Sequence, residues 1–466
     1  MNELIENLGK VFFCGFNKFD DETRYLIEKY KPGGILIYPG ILSDEVSLVE
    51  FFYFLSQKGD FLISSDHEGG QLETIPYVPS SVGNMALGFS DPSFTRRYTE
   101  MSGNIMRSIG FNMVFAPVLD LYFEGNSPAI GLRTFGKDPE RVAKHGVAAC
   151  QGYASAGILP CVKHFPGHGR SREDSHYGKT LVKVPYEELW NVDLLPFRVA
   201  VGHGVEAIMT AHVTNPHIDG LPATLSKRFL TDILRDKMSF KGLILSDAVE
   251  MKALSGNFSV EEIIVMFFNA GGNMLLLSDE NNLPIYYETL KRLLKDGKIS
   301  SDVVETSIKK VEGLVEKYKN PDNIGFMAEV ARNALKIGVS EKPEKGIHLI
   351  LPKARNLSPA DSTSKYYKRI EEIFGKFFDV KEVTYYELEE GPVIESSAYQ
   401  VLDVVVDAFR FERSLEAHRR LKNKARKVLY VIVRDPYDGT FFGDSNYVLT
   451  HSLNPISLYE ALKELS

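Results

Sequence analysis

The segment between positions 163 and 176 holds the side chains best suited to chemistry in this sequence. Lys163-His164-Phe165-Pro166-Gly167-His168-Gly169 is followed shortly by Asp174-Ser175-His176, so three histidines, a lysine and an aspartate fall within fourteen positions. Its glycines and proline argue against a regular helix, and the apolar segment before it is typical of a buried strand. We therefore predict a loop at a strand end, where catalytic groups concentrate. A solvated surface loop is the alternative.

Two kinds of chemistry fit these residue types. A histidine beside a carboxylate can act as general acid and base near neutral pH. Alternatively, His164, His168, Asp174 and His176 could supply nitrogen and oxygen ligands to a zinc ion. Their spacing is irregular, and Lys163 would oppose a nearby dication. The sequence therefore predicts no metal site.

Eight short apolar segments along the first 280 residues are predicted to be strands, with helices between most of them. The strands are Lys10–Phe16, Gly34–Tyr38, Phe61–Asp66, Met113–Asp120, Leu159–His164, Ala207–His212, Gly242–Asp247 and Met274–Asp279. Helical spacing of apolar residues marks Ser93–Ile109, Glu140–Ala156, Tyr186–His203 and Lys227–Lys237. Apolar strands alternating with helices indicate a parallel sheet covered on both faces. Eight such units predict an α/β fold of the (β/α)8 TIM-like barrel type.

Most of these strands end in a polar or charged residue. The strand-end residues are Asp66, Asp120, Lys163, His164, His212, Asp247 and Asp279. In a barrel the carboxyl ends of the strands meet on one face, and that face carries the active site. Aspartate is also a favoured helix cap, and for Asp279 a capping role is an equally good interpretation. Taken together, the strand ends predict one polar site.

The pattern changes after about residue 318, at the polar, proline-containing segment 318–323. We predict a barrel domain over 1–318, a linker and helix over 319–340, and a smaller three-layer α/β/α sandwich domain with an open parallel sheet over 341–466. Its strands are Ile347–Leu351, Lys381–Tyr385, Val401–Val406 and Val428–Val433, and its helices, counting the one after the linker, are Met327–Leu335, Lys365–Phe374, Arg413–Lys422 and Pro455–Leu465. No glycine-rich phosphate loop occurs, so no cofactor is predicted.

Composition limits the partners. The 466 residues carry a formal net charge of −8, which argues against nucleic acid or an anionic membrane as partner. No apolar run approaches the roughly 20 residues that span a bilayer, and the first residues do not resemble a signal peptide. The three cysteines, Cys14, Cys150 and Cys161, lie in or beside apolar patterns, as expected of buried thiols in a reducing compartment. The expected location is the cytoplasm.

These motifs resemble family 3 glycoside hydrolases, and within them the bacterial cytoplasmic β-N-acetylglucosaminidase (beta-hexosaminidase) branch. The run from Lys163 to Gly169 with Asp174-Ser175-His176 carries the resemblance, which extends over nearly the whole chain. Supporting segments are Gly33–Leu36, Asp66–Gly70, Phe115–Asp120, Ile130–Gly136, Leu245–Asp247 and Arg434–Asp438. The sequence departs from that branch at Gln71, Ala248 and Asn273, which leaves the aglycone preference and detailed pocket contacts open.

The resemblance implies a role for each matching residue. Asp247 would be the nucleophile of a retaining mechanism, and Asp174 with His176 a dyad whose histidine is the general acid and base. Residues implied to hold the sugar are Asp66, Arg133, Lys163, His164 and, at the pocket floor, Asp120. The implied substrate is a terminal, non-reducing β-linked N-acetylglucosamine, and the implied setting is cell-wall recycling.

Three other functions fit the same sequence. A histidine acid/base keeps carboxylates away from an incoming anion, so the enzyme could be a phosphorylase that uses phosphate as acceptor. A β-glucosidase of the same family is a second alternative, although its acid/base usually comes from the second domain. A sugar-binding protein without activity is the third, and the presence of all three catalytic residues argues against it.

Overall fold

The computed structural model describes residues 2–123, 130–171, 180–320, 323–339, 342–344, 346–355, 364–434, 438 and 446–466. The chain forms two compact units. The first comprises Met1–Asp44 and Lys58–Pro321, and the second comprises Glu45–Gln57 and Asp322–Ser466. The short segment Glu45–Gln57 thus groups with the second unit. The predicted domain bounds, 1–318, 319–340 and 341–466, stay a prediction.

The first unit is built on eight parallel strands. They are β1 (Phe12–Phe16), β2 (Gly34–Ile37), β3 (Leu62–Ser64), β4 (Met113–Val114), β5 (Leu159–Phe165), β6 (Ala207–Thr210), β7 (Leu243–Ala248) and β8 (Met274–Leu277). Their spatial order is β3-β2-β1-β8-β7-β6-β5-β4, and every neighbouring pair is parallel. This order follows the chain around a nearly closed barrel, which confirms the predicted fold.

The seam between β3 and β4 is bridged by the side chain of Asn112. Its amide oxygen accepts from the Ile63 N–H at 2.6 Å, and its amide nitrogen donates to the Phe61 carbonyl at 2.7 Å. Two backbone hydrogen bonds, from Asn112 to Ile63 and from Phe115 to Ser65, cross the same seam. The barrel is therefore held together where ladder pairing is weakest.

Strand β4 is much shorter than the predicted Met113–Asp120. Pro117 cannot donate to a ladder, and the chain beyond β4 continues as an irregular segment. That segment still pairs with β5, because the Lys163 N–H donates to the Pro117 carbonyl at 3.1 Å and the Leu119 N–H donates to the Lys163 carbonyl at 2.7 Å. This pairing places Asp120 beside the end of β5.

Helices and short helical turns surround the strands of this unit. The α-helices are Asn2–Glu6, Asp21–Tyr30, Pro39–Leu42, Asn84–Leu87, Pro92–Ile109, Pro139–Ser155, Tyr186–Asn191, Leu195–Gly202, Lys252–Ser255, Val260–Asn269, Leu283–Lys295 and Ser301–Lys317. Arg228–Lys237 is a π-helix, and 3₁₀ turns cover Leu8–Val11, Gly131–Arg133, Ala223–Leu225 and Glu280–Asn282. The predicted helix Tyr186–His203 is broken in two, because Pro196 cannot continue a helix but fits the first turn of a new one. Among these and the other described helices, none combines the length and apolar character needed to cross a bilayer.

Alternate residues of the strands fill the barrel interior. They include Phe13, Leu36, Leu62, Met113, Leu159, Cys161, Ala207, Met209, Leu243, Leu245, Met274 and Leu276. The interior is therefore a packed core. Cys14 and Cys161 are buried thiols and Cys150 is partly buried, and none of the three forms a disulfide.

The second unit contains a six-stranded sheet. Its strands are β9 (Lys336–Gly338), β10 (Gly346–Pro352), β11 (Asp379–Tyr386), β12 (Gln400–Val405), β13 (Val428–Ile432) and β14 (Tyr447–Leu449), in the order β9-β14-β13-β12-β10-β11. Five strands are parallel, but β9 pairs antiparallel with β14. The sheet is therefore mixed, and the expectation of an all-parallel sheet was wrong at this edge.

Four helices of the second unit match predicted ones to within a few residues at each end, whereas Glu45–Ser56 was not predicted. The helices are Glu45–Ser56, Asn323–Ala334, Ser364–Gly375, Glu412–Arg420 and Pro455–Leu465, with 3₁₀ turns at Ala408–Arg410 and Leu421–Asn423. Of the motif Arg434–Asp438, residues 435–437 lie outside the described residues.

Candidate active site

A network of four charged side chains occupies the carboxyl edge of the barrel near β3 and β5. The Lys163 ammonium lies 2.8 Å from Asp66 Oδ1 and 2.6 Å from Glu68 Oε1. Glu68 also holds Arg133 through two hydrogen bonds, from Nε at 2.8 Å and from Nη2 at 2.7 Å. Two of the predicted sugar-binding cations are thus fixed by one carboxylate.

Burial differs within this network, and the difference shows which groups a ligand can reach. The side chains of Glu68 and Lys163 are 0% and 2% exposed, whereas those of Arg133 and Asp66 are 15% and 28% exposed. Asp66 and Arg133 are therefore the groups that can still exchange hydrogen bonds with a ligand. Glu68 and Lys163 hold them in place.

Electrostatics keep Glu68, Lys163 and Arg133 ionised. Burial alone would raise the pKa of Glu68, but Lys163 and Arg133 lower it to about 2. Burial alone would lower the pKa of Lys163, but the carboxylates of Asp66 and Glu68 raise it above its ordinary value. Burial likewise opposes the charge on Arg133, and the Glu68 carboxylate nevertheless raises its pKa.

Replacing Glu68 by glutamine is expected to reduce stability at neutral pH. The folded-state pKa of Glu68 lies below the unfolded value, so its contribution is present above about pH 4.5 and is lost as the pH falls towards 2. The difference between the two pKa values corresponds to ~3 kcal/mol in the free energy of unfolding at pH 7. Urea unfolding of the wild type and the Glu68→Gln variant at pH 7 and pH 3 measures this loss. The difference between their free energies of unfolding should be smaller at pH 3.

Glu261→Gln is the matched control for this substitution. Glu261 also pairs with two cations, Arg292 at 2.7 Å and Lys298 at 2.5 Å, but on the surface. Solvent weakens exposed pairs, so this variant should lose far less stability. Equal losses in the two variants would contradict the role assigned to Glu68.

Asp120 organises the start of the predicted catalytic run. Its Oδ2 lies 2.6 Å from His164 Nδ1 and accepts from the His164 N–H at 3.2 Å, while its Oδ1 accepts from the His168 N–H at 2.6 Å. Burial alone would raise the pKa of Asp120, but His164 and His168 hold it below its ordinary value. His164 Nε2 then lies 3.4 Å from Arg133 Nη2. Asp120 thereby joins the run to the charged network.

Asp247 lies near the end of β7, where its Oδ1 accepts from the Ala248 N–H at 2.8 Å. Burial would raise the pKa of this carboxyl, but His164, His212 and the Ala248 N–H hold it below its ordinary value. Asp247 is therefore ionised at neutral pH, as a nucleophile must be. The influence of His164 means that Asp247 lies near the imidazole that contacts Asp120 and Arg133.

The predicted acid/base dyad, Asp174 and His176, lies outside the described residues. The chain on either side is held by named contacts. Before it, Ser171 Oγ lies 3.0 Å from His168 Nδ1. After it, Thr180–Leu181 pairs in parallel with Val213–Thr214, which follows His212 directly. The assignment of the dyad stays a prediction.

Two histidines of the alternative metal set are already engaged. His164 contacts Asp120 and Arg133, and His168 Nδ1 contacts Ser171. A dication on His164 would face the Arg133 guanidinium, which is unfavourable. Within the part of the chain that the structure describes, no group of three or more histidine, cysteine, aspartate or glutamate side chains could hold a metal ion.

The sequence interpretation missed two contributors. Glu68 lies two residues after Asp66, and alternate residues of an extended segment share one side, so their spacing was a usable signal. His212 was noted only as a strand-end residue. Its Nε2 donates to the Ala248 carbonyl at 2.9 Å, which fixes the residue after Asp247. Asp279, by contrast, accepts from the Asn281 N–H and caps a turn.

Known proteins share both parts of this architecture. Residues 1–314 match the glycosyl hydrolase family 3 N terminal domain, and residues 344–465 match the beta-N-acetylglucosaminidase C-terminal domain. A beta-N-acetylglucosaminidase structure from Thermotoga maritima is 48% identical, with a TM-score of 0.85, over 98% of this chain and 99% of that one.

Two curated relatives match about two thirds of this chain. Beta-hexosaminidase LpqI from Mycobacterium bovis is 32% identical over 68% of this chain and 83% of its own length. Beta-hexosaminidase A from Pseudoalteromonas piscicida is 27% identical over 66% of this chain, and the match spans only 56% of that relative. The barrel with its charged carboxyl edge, together with these matches, shows that the chain belongs to glycosyl hydrolase family 3.

Proposed function

We propose that this protein is a retaining exo-acting β-N-acetylhexosaminidase that releases terminal, non-reducing β-linked N-acetylglucosamine. The observation that carries the proposal is the ionised Asp247, whose negative charge is favoured by His164, a side chain that also contacts Arg133 of the charged network. The similar proteins are called beta-hexosaminidases and beta-N-acetylglucosaminidases. These names support the substrate class, and the ionised Asp247 supports its proposed role as nucleophile.

In the proposed mechanism Asp247 is the nucleophile. Its carboxylate attacks the anomeric carbon and forms a glycosyl ester, while the leaving-group oxygen takes a proton from His176. His176 then removes a proton from water, which attacks the same carbon and releases Asp247. Two inversions retain the configuration of the sugar. Asp174 would orient the imidazole and stabilise its protonated form.

The other site residues are proposed to bind the sugar. Asp66 accepts hydrogen bonds from hydroxyl groups, Arg133 donates to hydroxyl oxygens, and His164 contacts a hydroxyl group through Nε2. Lys163 acts mainly by fixing Asp66, because its side chain is almost fully buried. Asp120 acts behind His164 at the floor of the site. No cofactor is needed for this reaction.

The first experiment compares rates with an aryl 2-acetamido-2-deoxy-β-glucoside and an aryl β-glucoside at neutral pH. A strong preference for the acetamido sugar, with retained configuration of the released sugar by NMR, is expected. A preference for the plain glucoside would contradict the proposed substrate and favour the β-glucosidase alternative. Rates are measured after exhaustive chelation, and loss of activity there would favour the metal alternative.

The same assay tests the remaining alternatives. Acceleration of release by added phosphate, with formation of a sugar 1-phosphate, would favour phosphorolysis over hydrolysis. Sugar binding without turnover would favour a binding protein. Action on cell-wall fragments in the cytoplasm is part of the proposal and is supported by the motif resemblance.

A further inference from the structure

A cavity lies on the barrel away from the candidate active site. Its volume is about 460 Å³, within the range of cavities that bind small organic molecules. It adjoins Glu206 and Gly242, which directly precede β6 and β7, whereas Asp247 lies near the carboxyl end of β7. The cavity therefore faces the opposite edge of the barrel and has no part in the proposed hydrolysis.

Positive charge dominates the lining of this cavity. Four lysines, Lys241, Lys309, Lys310 and Lys317, surround one carboxylate, that of Glu206. Glu206 is already occupied, because Lys317 Nζ lies 2.7 and 2.8 Å from its two oxygens and the Tyr318 hydroxyl donates to it at 2.6 Å. Among the described residues, no carboxylate lies within ion-pair distance of the other three lysines.

The partly buried guanidinium of Arg235, behind the cavity wall, adds to the positive electrostatic potential of the cavity. Arg235 donates to the carbonyls of Phe240 and Gly242 and, at 2.6 Å, to the side-chain oxygen of Asn273. All three acceptors are neutral, so none offsets its charge. Burial lowers the pKa of Lys310, and the neighbouring Arg235 and Lys241 lower it further. These cations are packed closely enough to repel one another.

The shape of the lining also fits a ligand with an apolar part. Lys309, Gly313 and Lys317 recur at four-residue spacing on the helix Ser301–Lys317 and so share one face, and Lys310 lies three residues before Gly313 at the side of that face. A side chain at Gly313 would meet no atom within 4 Å, so the space between the lysines is open. Apolar walls are provided by Val201, Val205, Phe240 and Leu314.

We propose that this cavity is a binding site for a small organic phosphate monoester. The phosphate would lie among Lys241, Lys309 and Lys310, and the organic group against Val205 and Phe240. A phosphate monoester places up to two negative charges and three acceptor oxygens on one compact group, and lysine is a common partner for it. Binding would relieve the mutual repulsion of cations that have no carboxylate partner of their own. This site stands apart from the proposed hydrolase function.

Calorimetric titration with phenyl phosphate and with inorganic phosphate tests the site on the full-length protein. Phenyl phosphate is expected to bind more tightly than inorganic phosphate, and both should bind more weakly as salt is raised. The triple variant K241Q/K309Q/K310Q should bind phenyl phosphate at least about tenfold more weakly. The variant K144Q/K227Q/K295Q removes three exposed lysines from elsewhere on the barrel and is the control for net charge.

Each result decides the question. Loss of binding in the first variant alone supports the site. Undiminished binding in that variant would mean that phosphate binds elsewhere, for example as an acceptor at Asp247, and would overturn the proposal. Equal weakening in the control variant would reduce the effect to net charge and would also overturn it. Glycoside hydrolysis without phosphate should be unchanged in both variants, so this test and that of the hydrolase proposal fail separately.

Discussion

Asp247→Ala is expected to lower kcat for an aryl β-N-acetylglucosaminide by at least about 10⁴-fold, because no other carboxylate is assigned to form the glycosyl ester. Sugar binding should persist, since the Asp66, Lys163, Glu68 and Arg133 network does not depend on this side chain. Steady-state rates and sugar titration measure the two effects. A small loss of kcat would remove Asp247 from the role of nucleophile.

Azide distinguishes a lost nucleophile from a distorted site. In Asp247→Ala, azide can enter the vacated space and attack the anomeric carbon once, so the expected product is the α-configured glycosyl azide with partial recovery of rate. Asp279→Asn is the matched control, because Asp279 also follows a barrel strand but only caps a turn through Asn281. That variant should keep nearly full activity and gain nothing from azide.

Asp120→Asn is expected to lower kcat/KM by on the order of 100-fold, through the orientation of His164. All three of its neighbours, His164 Nδ1, the His164 N–H and the His168 N–H, are placed to donate. An amide would direct its own N–H₂ group against one of them. The imidazole would then lose the orientation that places Nε2 near Arg133.

A closely similar pair in the second unit supplies the control. Asp403 Oδ2 lies 2.6 Å from His418 Nδ1, and both side chains are fully buried. Asp403→Asn should lower stability without a comparable loss of kcat/KM in the folded enzyme. If both variants lost kcat/KM to the same degree after correction for the folded fraction, the loss in Asp120→Asn would be a stability effect.

Local sequence patterns predicted most of the fold. Apolar runs identified all eight barrel strands in order, because buried parallel strands are continuous in hydrophobicity. The missed strands are only two or three residues long; among them are Thr180–Leu181 and Val213–Thr214 in the first unit, and Lys336–Gly338 and Tyr447–Leu449 at one side of the second sheet. Segments so short carry too little periodicity to be recognised, and their pairing depends on tertiary contacts.

The residue types of the candidate site could be predicted from the sequence, but the contacts between their side chains could be predicted less well. Strand-end positions identified Asp66, Lys163, His164 and Asp247, because parallel strands bring their carboxyl ends together. Which cation pairs with which carboxylate depends on side-chain reach across the barrel. The pairing of Glu68 with Arg133, 65 residues away, therefore came only from the structure.

The helix Glu45–Ser56 is synthesised long before the residues that it packs against in the second unit. Its partners in the second unit come from the far end of the chain: Tyr53 contacts Glu460, Tyr459 and Lys463, and Glu50 contacts Lys376. Lys376 is translated 320 residues after Ser56, which takes about 15 to 60 seconds on a ribosome. Throughout that interval the nascent chain carries Val49 and Tyr53, which pack in the core of the second unit, without those partners. In a chain that ends at residue 318 these side chains would never acquire their partners, and chaperones would be expected to bind it.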